Sequence, residues 1–245
     1  MIYTGTSGLV LPVPNKQAFP PEFQDKSRLT YYASRFNSIE INSSFYKVPM
    51  VSTVKKWAES VPDNFQFTFK LWRQITHNKQ LAFEAADVEH FMNVINNTGD
   101  KSGCLLIQFP KSITIASATQ LEKLLSSIQA ANPQHQWKVA VEFRSPTWYQ
   151  QGVYDLLAYY QAGIVLHDMP ASITPLIHVN QTFVYLRFHG PNGSYKGSYN
   201  DDFLHEYALY IKEWQDEGKT VYVYFNNTVG DAVKNLITLK QFING

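Results

Sequence analysis

The chain has 245 residues, of which 44% are hydrophobic and 17% are charged, so a largely disordered protein is excluded and a folded globular one is favoured. The formal net charge is +1, which excludes the strongly basic surface of a dedicated nucleic-acid coat protein. No run of about 18 apolar residues occurs, and this excludes a transmembrane helix.

Short β-rich runs alternate with helical segments along the chain. In chain order, the predicted strands span residues 2–7, 38–42, 65–71, 103–109, 138–144, 163–168, 183–189 and 220–226. The predicted helices, identified by apolar residues at helical spacing, span residues 25–34, 52–60, 86–96, 118–130, 154–161, 201–215 and 230–243. Only the stretch 169–182 lacks a convincing helical pattern.

This regular alternation predicts the fold. Repeated β–α units join parallel strands through crossovers, and eight units in about 250 residues are what a closed barrel requires. We therefore expect an α/β protein with a single (β/α)8 barrel of the TIM type over residues 1–245. An open doubly wound sheet is the alternative, but the turn Gly5–Gly8 after the first strand does not form its G-x-G-x-x-G fingerprint.

The start of the sequence and its single cysteine bear on the compartment. The sequence begins directly on the first predicted strand and shows no leader-like pattern. Cys104 lies in an apolar run, where we expect a small buried side chain, and it has no second cysteine with which to form an intramolecular disulfide. We therefore expect a cytoplasmic protein with no membrane partner.

Polar residues collect at the C-terminal ends of the predicted strands. Successive strand residues face opposite sides, so if the apolar set packs under the helices, the polar set faces the barrel lumen at the mouth where barrel active sites lie. This set comprises Glu40, Asn42, Lys70, Gln108, Glu142, Arg144, Arg187, His189 and Asn226. The sixth strand ends in His167 and Asp168, and the sequence does not decide which of them points inward. A purely structural ion network is the alternative, although buried ions are costly.

The charges of this set predict an anion site with acid and base groups nearby. Arginine offers a planar fork that suits phosphate or carboxylate. The substrate-binding candidates are Asn42, Lys70, Arg73, His77, Gln108, Arg144, Arg187, Tyr195 and Asn226. The catalytic candidates, for general acid, general base and proton transfer, are Glu40, Glu142 and His189. Tyr195 belongs to the Gly- and Ser-rich loop 190–199, which we expect to clasp the ligand.

A divalent metal is an alternative occupant of the same mouth. Glu40, Glu142 and His189, with Asp168 or His167, would form a mixed carboxylate and imidazole set. No compact metal-binding spacing supports this set, and the neighbouring arginines disfavour a cation. We therefore predict no metal ligand and no cofactor, with a bound divalent metal as the alternative.

Several segments resemble the YecE-like family of bacterial proteins, a domain of unknown function numbered seventy-two. The matching segments, which occur in family order and cover nearly the whole chain, are Gly5–Gly8, Phe36–Tyr46, Ile75–His77, Leu105–Pro110, Val141–Tyr149, Arg187–Gly190 and Val223–Asn227. The resemblance implies a TIM-type barrel with these residues at its mouth. The chain departs from the family pattern at Leu9 and Val10, where an aromatic residue is usual, and at Ser145, where histidine is frequent. The family has no established reaction.

We predict an enzyme, hydrolase-like or isomerase-like, that acts by acid/base chemistry on a phosphorylated or otherwise anionic small ligand. One alternative is a metal-dependent phosphodiesterase or nuclease. The other is a non-catalytic module that binds an anionic metabolite or nucleic acid, although the net charge does not favour nucleic acid. The sequence leaves the oligomeric state open.

Overall fold

Eight parallel strands form a nearly closed barrel in the computed structural model, which describes residues 1–175 and 182–245. The strands are β1 (Ile2–Thr6), β2 (Ser38–Ile41), β3 (Gln66–Lys70), β4 (Ser102–Phe109), β5 (Lys138–Phe143), β6 (Gly163–His167), β7 (Phe183–Phe188) and β8 (Thr220–Phe225). Each strand from β2 to β7 pairs with the next in the chain, and β8 also pairs with β1. The predicted (β/α)8 barrel is confirmed.

Helices alternate with these strands around the barrel. They are α1 (Arg28–Ala33), α2 (Ser43–Tyr46), α3 (Val51–Glu59), α4 (Arg73–Thr76), α5 (Ala85–Ile95), α6 (Ala118–Ala131), α7 (Gln151–Tyr159), α8 (Asp201–Asp216) and α9 (Ala232–Asn244). The seven predicted helices are all present, with ends shifted by a few residues. The single-turn helices α2 and α4 are not predicted, because four residues are too few to show a helical period. The prediction of no helix over 169–182 lies partly outside the described residues, and 169–175 contain none.

Helix ends follow the capping preferences of their sequences. At the start of α1 the Ser27 hydroxyl accepts a hydrogen bond from the Thr30 backbone N–H over 3.0 Å. At the start of α8 the Asn200 side chain does the same for Phe203 over 2.8 Å. Each side chain satisfies a backbone donor that has no partner inside the helix. No helix of the described chain is long and apolar enough to span a membrane.

Two apolar layers lie on opposite faces of the strands. Between the strands and the helices, buried aromatic and branched residues such as Phe67, Ile107 and Val223 form the main core. A second cluster fills the lumen and consists of Tyr3, Cys104, Leu106, Ala140, Val165, Phe183, Tyr185, Tyr222 and Tyr224. The alternation predicted from the sequence is therefore present, and Cys104 is buried as expected.

Tyrosine hydroxyls in the lumen form the layer on which the mouth rests. The Tyr224 hydroxyl lies 2.5 Å from that of Ser38 and 2.8 Å from that of Thr68. The Tyr185 hydroxyl donates to Glu40 over 2.6 Å. Because these buried hydroxyls all have partners, the lumen below the mouth is a packed and hydrogen-bonded core.

The barrel closes irregularly between β1 and β2. Among the described residues, backbone hydrogen bonding between these two strands is limited to a bridge between Ser7 and Glu40, where the Gly8 backbone N–H donates to the Glu40 carbonyl over 2.7 Å. Below this bridge the Asn37 side chain accepts from Thr4 N–H over 2.8 Å and donates to a carbonyl of β1 over 2.9 Å. Hydrogen bonds from the Asn37 side chain thus replace part of the backbone hydrogen bonding between β1 and β2. The closure of the barrel brings Ser7 and Glu40 together at the mouth.

Candidate functional site

Arg187, at the end of β7, joins two carboxylates from distant strands. Its Nε and Nη2 lie 2.9 Å and 2.6 Å from the oxygens of Glu40, and its Nη1 lies 2.9 Å from Glu142 Oε2. Glu40 belongs to β2 and Glu142 to β5, so the contact crosses the lumen. All three side chains are buried. Such a buried triad is tolerated because each charge has a paired partner with hydrogen bonds.

Glu40 is held as a carboxylate in spite of its burial. Burial alone raises the pKa of this carboxyl, but the Arg187 charge and the hydrogen bonds from Arg187, Ser7 and Tyr185 outweigh it, so the pKa lies below its ordinary value. The Ser7 hydroxyl donates to Glu40 Oε1 and comes from the end of β1. The negative charge therefore persists at neutral pH.

Glu142 is ionised for a similar reason. Burial raises the pKa of its carboxyl, but the nearby Arg144 and Arg187 charges outweigh burial and bring the pKa well below the ordinary value. Arg144 Nε donates to Glu142 Oε1 over 2.5 Å. Arg144 follows β5 by one residue and points from the same face as Glu142, as strand alternation predicts.

His189 lies between the arginines and Asp168. Its Nε2 is 2.9 Å from Arg144 Nη2 and 3.3 Å from Arg187 Nη1, and since both are donors, Nε2 accepts. The proton then resides on Nδ1, which faces Asp168 Oδ1 over 3.2 Å. Burial lowers the pKa of His189 to about 4, although the Asp168 contact opposes the shift. The ring is therefore a neutral acceptor for arginine donors.

The sequence left open which of His167 and Asp168 points inward, and in the structure both lie next to His189. Asp168 accepts from the His189 backbone N–H over 2.8 Å and from the Tyr199 hydroxyl. The His167 ring lies 5.7 Å from that of His189, edge to face. His167 Nδ1 accepts from Met169 N–H over 3.2 Å, so its Nε2 carries the proton that is donated to the Phe143 carbonyl over 3.0 Å.

A cavity of about 180 Å³ opens above this network at the barrel mouth. Its lining consists of Asn42, Phe45, Tyr46, Lys70, Gln108, Arg144, Arg187, Tyr195 and Asn226. Seven of these nine residues are substrate-binding candidates from the sequence. The lining contains three cationic side chains and neither Asp nor Glu. The proposed catalytic residues Glu40, Glu142 and His189 lie outside the lining.

Lys70, at the end of β3, differs from the two arginines in its contacts. Its Nζ donates to Gln108 Oε1 over 2.8 Å and lies 4.2 Å from the centroid of the Phe45 ring. Within residues 1–175 and 182–245 it forms no ion pair with a carboxylate. Burial, together with the Arg187 charge, lowers the pKa of Lys70 to about 8. The amine of Lys70 therefore loses its proton more readily than an ordinary lysine amine does.

One lining residue carries a buried acceptor with no partner in the described chain. The side-chain Nδ2 of Asn42 donates to the Ser7 hydroxyl over 2.5 Å, while Asn42 Oδ1 has no hydrogen-bond donor. Buried polar atoms are nearly always satisfied, by protein, water or ligand. Asn42 Oδ1 can therefore accept a hydrogen bond from water or from a donor group of a bound molecule.

Arg73 and His77 lie behind Phe45 and do not line the cavity. Arg73 starts α4, with its guanidinium 5.9 Å from the Phe45 centroid, and the His77 ring packs edge-on against Phe45 at 4.8 Å. Burial and the Lys70 charge lower the pKa of His77 to about 4. These two substrate-binding candidates are thus separated from the other seven by one aromatic ring.

Phe45 and Tyr46 are lining residues outside the predicted set. Both lie in α2, immediately after β2, so they reach the mouth although they are not strand residues. The signal in the sequence is their position five and six residues after Glu40, within the segment Phe36–Tyr46 that resembles the family.

The loop after β7 carries Tyr195 over the site in an unusual backbone conformation. Tyr195 has φ 63°, in the left-handed region that non-glycine residues rarely adopt, and its N–H donates to the His189 carbonyl over 2.7 Å. Its ring lies 5.7 Å from that of His189. Gly190, at φ 95°, has no room for a Cβ, which would lie 2.2 Å from the Lys196 carbonyl oxygen. Strained residues of this kind collect at ligand sites.

The carboxylates at the mouth are poorly disposed to hold a metal ion. In the part of the chain that the structure describes, no group of three or more His, Cys, Asp or Glu side chains is arranged to bind one. The Glu40 and Glu142 oxygens face arginine nitrogens, and His189 Nε2 accepts from arginine as well. The atoms of Glu40, Glu142 and His189 that could bind a metal are therefore already occupied by arginine.

Comparison with known proteins finds a family and a shared fold. The chain matches the family described as "Protein of unknown function DUF72" over residues 3–245. It is 26% identical over 276 residues to the UPF0759 protein YunF of Bacillus subtilis (strain 168), covering 96% of this chain and 92% of YunF. It is 27% identical over 124 residues to the UPF0759 protein YecE of Escherichia coli (strain K12), covering 51% of this chain and 44% of YecE.

A crystal structure of a DUF72 family protein from Thermotoga maritima MSB8 aligns with this chain at a TM-score of 0.81 and 24% identity, covering 100% of both chains. At this identity the likeness establishes the barrel fold. The family match, by contrast, extends over nearly the full length and includes every residue of the site. The chain therefore belongs to the DUF72 family of proteins of unknown function, as its resemblance to YecE-like sequences predicts.

Proposed function

We propose that this protein is an enzyme that binds a small anionic ligand, phosphorylated or carboxylated, in the mouth cavity and acts on it by acid/base chemistry. The charge of the lining carries the proposal, because three cations and no carboxylate face about 180 Å³ of space. An anion entering this space meets Lys70, which has no carboxylate partner in the described chain, beside the guanidinium of Arg144. Arginine and lysine side chains are the usual protein partners of phosphate.

The buried network beneath the cavity supports this function by orienting the cations. Arg187 uses all three of its nitrogens on Glu40, Glu142, Ser7 and His189. Arg144 uses Nε and Nη2 on Glu142 and His189, so Nη1 has no described partner. Donors fixed in this way need no reorganisation when a ligand binds, which is how preorganised sites stabilise charge. A catalytic role for Glu40, Glu142 and His189 remains a prediction.

Lys70 is the best placed group for proton transfer to or from a ligand in the cavity. A general acid or base is most effective when its pKa is close to the working pH. Burial and the neighbouring Arg187 charge bring the pKa of Lys70 to about 8, near that range. The alternative of a metal-dependent phosphodiesterase has less support, because the carboxylate oxygens that it needs contact arginines.

Thermal denaturation with inorganic phosphate tests the binding step. We expect phosphate, at constant ionic strength set with chloride, to raise the Tm of the wild type, by an amount that corresponds to about 2.7 kcal/mol at one hundred times its Kd. Lys70→Met should lose most of this shift. The matched control is Lys111→Met, an exposed lysine in the loop after β4 at the same end of the barrel, and it should keep the shift.

Equal phosphate shifts in Lys70→Met and Lys111→Met would place the anion elsewhere and refute the proposed site. Turnover needs a second measurement, in which a mixture of phosphorylated and carboxylated metabolites is incubated with the protein and the products are followed by NMR. Ligand-induced stabilisation with no product from any binding compound would favour the non-catalytic module instead.

A further inference from the structure

Lys70 has the surroundings of a reactive amine more than those of a fixed cation. The cavity already contains two guanidinium groups, each bound to carboxylates, whereas Lys70 has only the neutral Gln108 oxygen as a described partner. The charges of Arg144 and Arg187 are stabilised by carboxylates, and the charge of Lys70 is not. The absence of one among the described residues favours the unprotonated amine.

The positions of its neighbours leave the amine one open direction. Nζ lies over the Phe45 ring on one side and against Gln108 Oε1 on another, and the remaining approach is through the cavity. Since the nitrogen of a neutral amine keeps one lone pair, its hydrogen bond to Gln108 does not consume the nucleophilic electrons. An electrophilic carbon in the cavity would therefore meet that lone pair.

We propose that Lys70 is a catalytic amine that forms an imine with the carbonyl carbon of a small anionic aldehyde or ketone held in the mouth cavity. This inference rests on the proposed function and narrows its substrate class to carbonyl compounds that also carry a carboxylate or phosphate. The anionic end lies against Arg144, whose Nη1 has no described partner, and a hydroxyl of the substrate can donate to the unpaired Asn42 Oδ1.

The imine step balances without an added oxidant or reductant. The Lys70 lone pair attacks the carbonyl carbon, the C–N bond forms, and the π electrons move to oxygen. A nitrogen proton passes to that oxygen and gives a carbinolamine. Loss of the C–O bond, with the second nitrogen proton, releases water and leaves the C=N bond. A proton taken up from solvent converts this neutral imine to an iminium, which can then accept electrons from a bond broken next to the former carbonyl carbon.

The charges facing Lys70 determine how the step depends on pH. Arg187 from β7 and Arg144 after β5 oppose protonation of the amine, while Glu142 from β5 and Glu40 from β2 favour it. Arg73 and His77 of the α4 segment lie on the far side of Phe45. Burial, the largest contribution, lowers the pKa of Lys70 to about 8, so imine formation should rise between pH 7 and 9 and then level off.

Reductive trapping with glyoxylate tests the inference on the full chain. Glyoxylate is an aldehyde with a carboxylate, and sodium cyanoborohydride reduces its imine to a stable carboxymethyl-lysine that peptide mass spectrometry locates. At pH 7 we expect Lys70 to be modified at least about tenfold faster than exposed Lys111, because the lowered pKa of Lys70 leaves more of its amine unprotonated and the cavity holds the carboxylate near Arg144. Phosphate should slow the reaction at Lys70 and leave Lys111 unchanged.

Acetaldehyde, which has a methyl group where glyoxylate has its carboxylate, is the matched probe without charge. We expect it to keep the preference for Lys70 that the unprotonated amine gives and to lose the additional preference that binding of the carboxylate gives. If glyoxylate modified Lys70 no faster than Lys111, or if acetaldehyde showed the same preference as glyoxylate, the inference would be overturned.

A Lys70→Arg variant separates this inference from the proposed function. Arginine keeps a positive charge but has no nucleophilic amine. We expect Lys70→Arg to keep stabilisation by phosphate and to lose conversion of any carbonyl substrate found in the metabolite screen. If phosphate stabilised the wild type but no trapping occurred at Lys70, the imine proposal would be refuted and the proposed anion site would be kept. If the wild type showed neither phosphate stabilisation nor trapping at Lys70, the proposed anion site would be refuted as well.

Discussion

Arg187 is the residue on which the geometry of the mouth depends. It connects Glu40 of β2 with Glu142 of β5, and both acids also contact other polar groups. Taking ions out of water costs several kcal/mol each, and apolar residues of similar volume often stabilise a protein more. The network therefore serves to orient the cations of the cavity more than to stabilise the fold.

Glu142→Gln should destabilise the protein by about 3–5 kcal/mol at pH 7, the usual cost of breaking a buried ion pair from one side. The change leaves Arg144 and Arg187 close together with less neutralising charge. Because the pKa of the Glu142 carboxyl lies well below its ordinary value, its contribution is complete above about pH 4.5 and is lost as the pH falls further. Urea denaturation at pH 7 measures the difference.

The matched control for this change is Glu89→Gln, at an exposed position on α5, which should alter stability by less than about 0.5 kcal/mol. A stability of Glu142→Gln within that range would show that the arginines do not depend on Glu142 for their charge balance.

At the scale of elements, β1 and β2 approach each other closely at Gly5. Gly5 faces the Ser38 backbone so closely that a Cβ at this position would lie 2.1 Å from the Ser38 carbonyl oxygen. The Tyr32 hydroxyl bridges the same two strands, accepting from Thr6 N–H over 2.7 Å and donating to the Ser38 carbonyl over 3.0 Å. Glycine is thus required by close approach of two backbones.

Gly5→Ala should therefore destabilise the protein by about 3 kcal/mol, the upper end for overpacking, because backbone atoms must move apart. Gly152→Ala is the comparison, since Gly152 lies in α7 and its added Cβ would meet no heavy atom within 4 Å. That change should stabilise by about 0.5 kcal/mol through higher helix propensity. Thermal denaturation of the two variants gives the test, and shifts of the same sign would contradict it.

On the scale of the whole molecule, several histidines are held neutral by the fold. Burial lowers the pKa of both His189 and His77 to about 4, and it lowers the pKa of His167 as well. In the unfolded chain these rings have a pKa near 6.5 and take up protons more readily. Acid should therefore weaken the folded state well before the carboxylates are protonated.

The free energy of unfolding should fall as the pH decreases from about 6.5 towards 4. Each fully buried histidine contributes a slope of about 1.4 kcal/mol per pH unit in this window. Denaturation curves at pH 7, 6 and 5 measure the slope. His189→Gln should reduce it, and His90→Gln, at an exposed position on α5, should leave it unchanged. An equal slope in all three proteins would contradict the assignment.

The order of strands and helices, the barrel and the face of each strand that lines the lumen were predictable from the sequence. These properties follow from local periodicity, since alternate residues of a strand face opposite sides and an apolar set must be buried. Six of the predicted binding residues line the cavity for this reason, and Tyr195 reaches it from the loop after β7. The single-turn helices α2 and α4 were not predictable, and neither was the position of Arg73 and His77 behind Phe45.

The sequence by itself determined the polar ring at the mouth, because parity places Glu40, Glu142 and Arg187 on the lumen face. Tertiary structure alone decided their partners. Glu40 and Arg187 are 147 positions apart, and only barrel closure brings their side chains within 2.6 Å. The tertiary structure also decided that Glu40 and Glu142 lie beneath the arginines of the cavity. Lys70, by contrast, faces the cavity without an ion-pair partner in the described chain. Periodicity sets the direction of a side chain, whereas pairing across a lumen depends on the registers of all the strands between.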